Sequence, residues 1–356
     1  MRSAPVIGRL RSGSLDAITD VPGVTVGHQT RDDQGIQTGV TVIRPHGGDV
    51  YRQKVPAAAT VINGFGKSIG LMQIDELGLI ETPIALTNTF AVGTVANAQI
   101  RQACQANREI GRRWPTVNPL VFECNDGYLN DIQAMAVTEM DFSRAYQNAS
   151  ANFAQGSVGA GRGMSCFGLK GGIGSASRLI EIVGADRSFT VGALVLANFG
   201  VPEMLTVAGV PMGRLLAGRL GGTAAPVAAV VEKGSIIMII ATDAPLDANQ
   251  LRRMSSRAAA GLARCGSVFG HGSGDIAVAF STAYTVSHDV QVPTRYPSHL
   301  IHPAAVDPLF AATAEVVEQA IVYALWRASS VTGRDGHQRR SLLDVAPDWQ
   351  ALMAAS

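Results

Sequence analysis

Two segments of this chain are apolar at almost every position: FTVGALVLAN at 189–198 and SIIMIIAT at 235–242. Neither approaches the ~18 consecutive apolar residues of a membrane span. Both are short and rich in β-branched residues, so they read as buried strands, and such strands need cover on both faces. Further strand signals occur in DVPGVTVGH and TGVTVI near the start, AAATVI (57–62), NPLVFEC (118–124) and GDIAVAF (274–280). Apolar spacing predicts helices over 68–80, over 93–113 with basic residues in its last turn, over 131–149, over 248–266 with Gly266 as the stop, and over 303–330. Strands and helices alternate loosely, without regular βαβ units. This predicts one α+β domain over residues 1–356, with layered sheets covered by helices. Residues 200–233 keep no sustained period and read as a loop or linker.

Composition narrows the function classes. The chain has 356 residues, 47% hydrophobic and 16% charged, with a formal net charge of +1. A near-neutral chain has no global electrostatic pull toward nucleic acid or an anionic membrane, so neither is an expected partner. Its 39 glycines signal many tight turns and close backbone approaches. None of the cysteines Cys104, Cys124, Cys166 and Cys265 sits in a CxxC pair, which argues against zinc-ribbon and thioredoxin-like sites and for a reduced, cytoplasmic chain. The N-terminal segment lacks the apolar stretch of a signal peptide. His299 and His302 stand without an HExxH motif or a nearby ligand cluster, so no metal and no cofactor is expected.

The sharpest chemical signal is Gly234-Ser235 at the head of the IIMII run. A new N-terminus at Ser235 would hold a hydroxyl and an α-amine on one residue at the start of a buried strand. An α-amine has an ordinary pKa of about 7.7–8 and can accept the proton of its own hydroxyl near neutrality. Gly234 gives the backbone freedom for the strained turn of an N→O acyl shift. A second element, Gly270-His271-Gly272-Ser273-Gly274-Asp275, places a hydroxyl and a carboxylate two residues apart, on one face if the strand has begun. Two more polar clusters lie at strand ends: the block from Glu123 to Asp131, and Asn198, whose amide can donate to an oxyanion. Each element alone also reads as ordinary turn chemistry.

Together these blocks resemble the P1 family of peptidases, the DmpA-like L-aminopeptidase/D-esterases and the β-peptidyl aminopeptidases. The resemblance runs from DVPGVTVGHQT through INGFGKSIGLMQIDELGLIETPIALTNT, ECNDGYLND, GSVGAGRGMSCFGLKGGIGSASR and VGALVLANFG to GSIIMIIATDAPL and GHGSGDIAVAFSTA. It implies self-cleavage before Ser235, giving an α chain 1–234 and a β chain 235–356, with Ser235 as nucleophile. It also implies Ser273 and Asp275 as its proton-relay partners and Tyr128 and Asn198 at the scissile carbonyl. Glu123 is the nearest match to the acid that receives the substrate ammonium. The implied fold is an αββα sandwich of the N-terminal-nucleophile-like architecture shared with the ornithine acetyltransferases. The implied assembly is a homotetramer of αβ units, and the implied substrates are short peptides, aminoacyl amides or esters. One departure stands out: Asp275 is a methylene shorter than the Glu of the β-peptide-cleaving branch, which bears on substrate preference.

Other readings compete. Gly66-Lys67-Ser68-Ile69-Gly70 matches the GxSxG elbow of α/β-hydrolase esterases, between a strand and a helix. An acyltransferase of the ornithine acetyltransferase type would use Thr where this chain has Ser235. A non-catalytic scaffold on the same fold would have lost cleavage. The glycine cluster at 156–178 lacks the full phosphate-loop pattern and reads as tight turns.

Overall fold

A computed structural model describes residues 4–220, 233–291, 297 and 299–354. The first part of the chain builds a four-stranded sheet. Its strands are β1 (Thr25–Asp33), β2 (Ile36–Arg44), β5 (Ile84–Asn88) and β6 (Leu120–Cys124), in the order β1-β2-β5-β6. The second sheet has seven strands. It runs β13 (Val286–Ser287), β3 (Gln53–Gly64), β12 (Gly272–Ser281), β11 (Lys233–Thr242), β10 (Phe189–Asn198), β9 (Gly172–Ile180), with β4 (Leu79–Ile80) paired to β3. The short pair β7 (Ser165–Cys166) and β8 (Leu169–Lys170) precedes β9.

The unbroken apolar runs have a physical reason. Along β11, Ile237, Ile239 and Ala241 face one core, shared with Ile43, Leu86, Phe122 and Cys124 of the smaller sheet. Ile236, Met238 and Ile240 face a second core, filled from the helices α5 (Ala248–Ser256), α6 (Ala258–Arg264) and α7 (Asp307–Trp326). A third core joins the outer face of the smaller sheet, through Val40, Val42 and Val121, to α2 (Val92–Ala106) and α3 (Glu139–Gln147). The layers therefore run helix, sheet, sheet, helix, as the αββα expectation requires. Truncating one such buried isoleucine to alanine removes roughly 2–5 kcal/mol.

β10 and β11 pair antiparallel, whereas β11 and β12 pair parallel. A parallel neighbour needs a crossover, and α5 and α6 supply it. Asp247 caps α5 by accepting from the N–H of Gln250 at 2.8 Å, and Gln250 reaches back to the N–H of Asp247. α7 is long and apolar enough to cross a membrane by length and composition, but 83% of its apolar window is buried within the fold.

Several sequence-based expectations change at the element ends. The helix predicted over 68–80 shrinks to α1 (Leu71–Leu77), and residues 79–80 join the large sheet as β4. α2 stops at Ala106, so Arg108, Arg112 and Arg113 lie beyond it and not in its last turn. The helix predicted over 131–149 begins only at Glu139, where Thr138 and Asp141 form a capping box; before it Met135 sits at φ 44°. The predicted 248–266 helix is two helices, α5 and α6, and Gly266 follows them at φ 106° as the expected stop. Within 200–233 a one-turn helix, α4 (Met212–Leu215), forms; residues 221–232 lie outside the described residues. β11 starts at Lys233, so Ser235 is the third residue of its strand and not the first.

Candidate active site

Ser235 sits where three central strands meet. Across β10 its partner is Asn198, and across β12 it is Gly274. Strand alternation puts Ser235 on the side of Ile237 and Ile239, facing the space between the sheets. The Ser235 hydroxyl donates to the carbonyl of Gly234, the residue it follows, at 2.7 Å, and accepts from the N–H of Gly274 at 3.2 Å.

Gly234 holds φ 129°, a region that side-chain-bearing residues rarely adopt. A Cβ at this position would lie 2.1 Å from the carbonyl oxygen of Asn198. Gly274 is crowded in the same way: its Cβ would lie 2.6 Å from the Phe65 carbonyl and 3.1 Å from the Ser235 hydroxyl. Both positions thus need glycine to let the backbone close around Ser235.

On β12, Ser273 donates to Asp275 at 2.6 Å, and both side chains are fully buried. The two-residue spacing seen in the sequence becomes a direct contact because β12 starts at Gly272. Asn63, near the end of β3, pins the turn that leads into this pair. Its amide donates to the carbonyls of Gly270 at 3.0 Å and Ser273. Nothing local in the sequence ties residue 63 to 270–275.

The Asn198 carboxamide is held at both ends. Its oxygen accepts from the Ser165 N–H at 2.8 Å, and its nitrogen donates to the Asn125 carbonyl at 3.0 Å. An Asn amide has two N–H bonds, and the Asn125 contact uses one of them. Tyr128 stands outside the hydrogen bonds that Ser235 makes among the described residues. Its ring stacks on His337 at 4.7 Å, with the Arg339 guanidinium 3.6 Å above its centre. Arg339 in turn donates to the Ser165 hydroxyl at 3.1 Å, and the Ser165 N–H donates to Asn198, so Arg339 and Ser165 link the Tyr128 ring to Asn198. The segment 331–339, far away in sequence, supplies the groups that pack on the Tyr128 ring.

A cavity of about 270 Å3 opens over Ser235, lined by Phe65, Lys67, Thr89, Glu123, Asn125, Gly234 and Gly272. Glu123, one residue before the end of β6, lines it and is buried. One carboxylate oxygen accepts from the Lys67 N–H at 2.9 Å, and the other accepts from the Thr89 hydroxyl. Its hydrogen-bond partners are therefore uncharged donors, and the acid is presented to the cavity. Phe65 and Thr89 were not singled out in the sequence; Phe65 and Lys67 lie in the NGFGKS turn, which also carried the rival elbow serine, and Thr89 ends the same resemblance block.

That rival, Ser68, is part of no such constellation. Its hydroxyl is buried and hydrogen-bonded to nothing among the described residues, and it does not line the cavity. An elbow serine needs a base within hydrogen-bond reach.

Nearby burial shifts several ionisable groups. The Cys124 thiol, on the strand that ends beside Glu123, is pushed well up by burial. Asp126 is buried too, and its carboxyl is raised to about 6, against hydrogen bonds from Thr38 and Asn130. Lys170 is held well below its ordinary value by burial; its ammonium donates to the carbonyls of Gly161, Met164 and Gly171 at 2.8–2.9 Å. That lysine ties together the glycine-rich stretch, whose turns are structural, as its composition suggested.

The family model of Peptidase family S58 matches residues 16–339. The chain belongs to peptidase family S58. It is 38% identical over 351 residues to the β-peptidyl aminopeptidase BapA of Sphingosinicella microcystinivorans, covering 92% of this chain and 85% of that one. Among solved structures, the PH0078 protein of Pyrococcus horikoshii OT3 is 46% identical, with a TM-score of 0.91 over 98% of this chain and 97% of that chain. The L-aminopeptidase D-Ala-esterase/amidase of Ochrobactrum anthropi, a variant of the Ntn hydrolase fold, is 33% identical, with a TM-score of 0.86 and 98% of each chain covered. This S58 member is thus a hydrolase, an aminopeptidase of the serine N-terminal-nucleophile kind, on the αββα architecture the resemblance implied.

Proposed function

We propose that this S58 peptidase cuts itself between Gly234 and Ser235 and then uses Ser235 to release N-terminal residues from short peptides, aminoacyl amides or esters. The observation that carries the reading is the Ser235 hydroxyl, 2.7 Å from the Gly234 carbonyl at a glycine held at φ 129°. In the first step the hydroxyl oxygen attacks the Gly234 carbonyl carbon. The C–N bond to Ser235 breaks, its nitrogen takes a proton and becomes an amine, and water hydrolyses the ester left behind. Residues 1–234 and 235–356 then share one fold.

Cleavage creates the base. In the uncut chain the Ser235 nitrogen is an amide and accepts no proton; afterwards it is an α-amine beside its own hydroxyl. The Ser273–Asp275 pair, on the adjoining strand, relays the proton. Asn198, with its second N–H, stabilises the oxyanion. Glu123 receives the substrate ammonium in the cavity, and water resolves the acyl-enzyme. Relatives are named for β-peptidyl and for L-aminoacyl or D-Ala substrates, which supports testing all three residue classes. A homotetramer of αβ units is the proposed assembly. A cytoplasmic location accords with four cysteines of which none is in a disulfide.

Mass spectrometry of purified protein, followed by assay on L-, D- and β-aminoacyl p-nitroanilides, tests the proposal. Expected are two chains, the smaller beginning at Ser235, and release of p-nitroaniline. Active protein that stays in one piece would rule out the scheme.

A further inference from the structure

The cavity over Ser235 carries two opposite charges that do not neutralise each other. Glu123 is buried at one wall and bonded to the Lys67 N–H and the Thr89 hydroxyl. The Lys67 side chain leaves the same turn toward the mouth, where its ammonium lies 4.4 Å over the Phe65 ring. Phe65 is half exposed and is backed by the His271 ring at 6.1 Å. Among the described residues no carboxylate lies within ion-pair distance of Lys67, although ion pairs are formed elsewhere by Lys54 and by several arginines. A cation parked on a ring face at a cavity mouth keeps its hydrogen-bond donors for a visitor.

We infer that Lys67 is a receptor for a carboxylate on the leaving-group side, and that the enzyme prefers short peptides with a free C-terminus over the corresponding amides. This rests on the aminopeptidase reading and names its substrate class. Geometry limits the length. Lys67 N lies 2.9 Å from the Glu123 carboxylate. A lysine ammonium reaches at most ~7 Å from its own backbone nitrogen, so the two charges stand no more than ~10 Å apart, the span of two to three extended residues at ~3.3–3.6 Å each. The cavity, at about 270 Å3, is also near the small end of ligand pockets. A dipeptide zwitterion, ammonium at Glu123 and carboxylate at Lys67, places its single peptide bond between them, over Ser235. An acidic side chain on the second residue offers the same chemistry from a different atom.

The test uses fully processed enzyme and three substrates: X-Ala, X-Ala-NH2 and X-Glu-NH2. X is whichever of L-alanine, D-alanine and β-alanine is released fastest from its p-nitroanilide. The expected result is a KM for X-Ala about five- to tenfold below that for X-Ala-NH2 at similar kcat, with the gap shrinking in high salt. Lys67→Met should raise KM for X-Ala far more than for X-Ala-NH2, and Lys67→Arg should restore the preference. If X-Glu-NH2 matches X-Ala, the receptor takes a side-chain carboxylate as well as a terminal one. Equal KM values for X-Ala and both amides, or an equal loss on all substrates in Lys67→Met, overturn the inference while leaving the aminopeptidase reading intact. Turnover of no substrate, p-nitroanilides included, overturns both.

Discussion

The N–H of Gly274 donates to the Ser235 hydroxyl at 3.2 Å, across the parallel pair of β11 and β12. The strand that carries Ser273 and Asp275 therefore also touches the nucleophile, through its own backbone. In the proposed scheme processing and turnover both run through this contact.

Ser235→Ala is expected to stay as one chain and to be inactive on every substrate, because one oxygen serves both steps. Denaturing gels and an ester assay check this. Slow processing of the alanine variant would mean that another group performs the cut.

Gly234→Ala should impair folding and processing together. The new methyl meets the Asn198 carbonyl, and alanine at φ 129° adds strain, about 1–3 kcal/mol from the backbone alone. Calorimetry in a Ser235→Ala background keeps both proteins uncut; the double variant should melt lower, by about 1–2 °C per kcal/mol.

Asp275→Asn should lower kcat by ~10²-fold or more and leave KM nearly unchanged, as expected of a proton relay. A carboxylate near the Ser235 amine favours its charged form and raises its pKa; removing the charge lowers that pKa. The amine acts as base only when neutral, so the acidic limb of the rate profile should move to lower pH. Asp275→Glu should keep substantial activity. A pH–rate profile on protein shown by mass to be fully cleaved decides the matter; a profile unchanged in Asp275→Asn would reduce Asp275 to a structural residue.

Ser68→Ala should leave self-cleavage and labelling by a serine-directed fluorophosphonate in place, since among the described residues no base is hydrogen-bonded to that hydroxyl. Loss of labelling in a chain that still cuts itself would restore the elbow reading.

His28 predicts an acid-sensitive fold. Burial lowers its pKa to about 4; its ring nitrogens contact the Thr41 hydroxyl and the Ala154 carbonyl, both at 2.9 Å. The unfolded chain takes up this proton near 6.5, before the folded one does, so stability is lost as the pH falls from about 6.5 toward 4. Urea midpoints of the Ser235→Ala protein at pH 7 and pH 5 should show the drop, and His28→Gln should reduce it.

The sequence by itself determined whatever depends on neighbours along the chain. The runs at 189–198 and 235–242 had to be strands covered on both sides, because no other short element buries an apolar residue at every position. The Gly234-Ser235 junction and the Ser273–Asp275 spacing were likewise legible, since a strand places residues i and i+2 on one side. Tertiary structure decided the rest. β4 took residues 79–80 from a predicted helix because β3 offered a pairing edge, and α2 ended seven residues early, at Ala106. Tyr128 stood in a motif beside Glu123, and its ring is packed by Arg339 and His337 from far along the chain. Likewise, Lys67 and Glu123 meet only because the turn after β3 folds over the end of β6. Such contacts join residues far apart in the chain, and their energy comes from burial and hydrogen bonds that exist only once both sheets are packed.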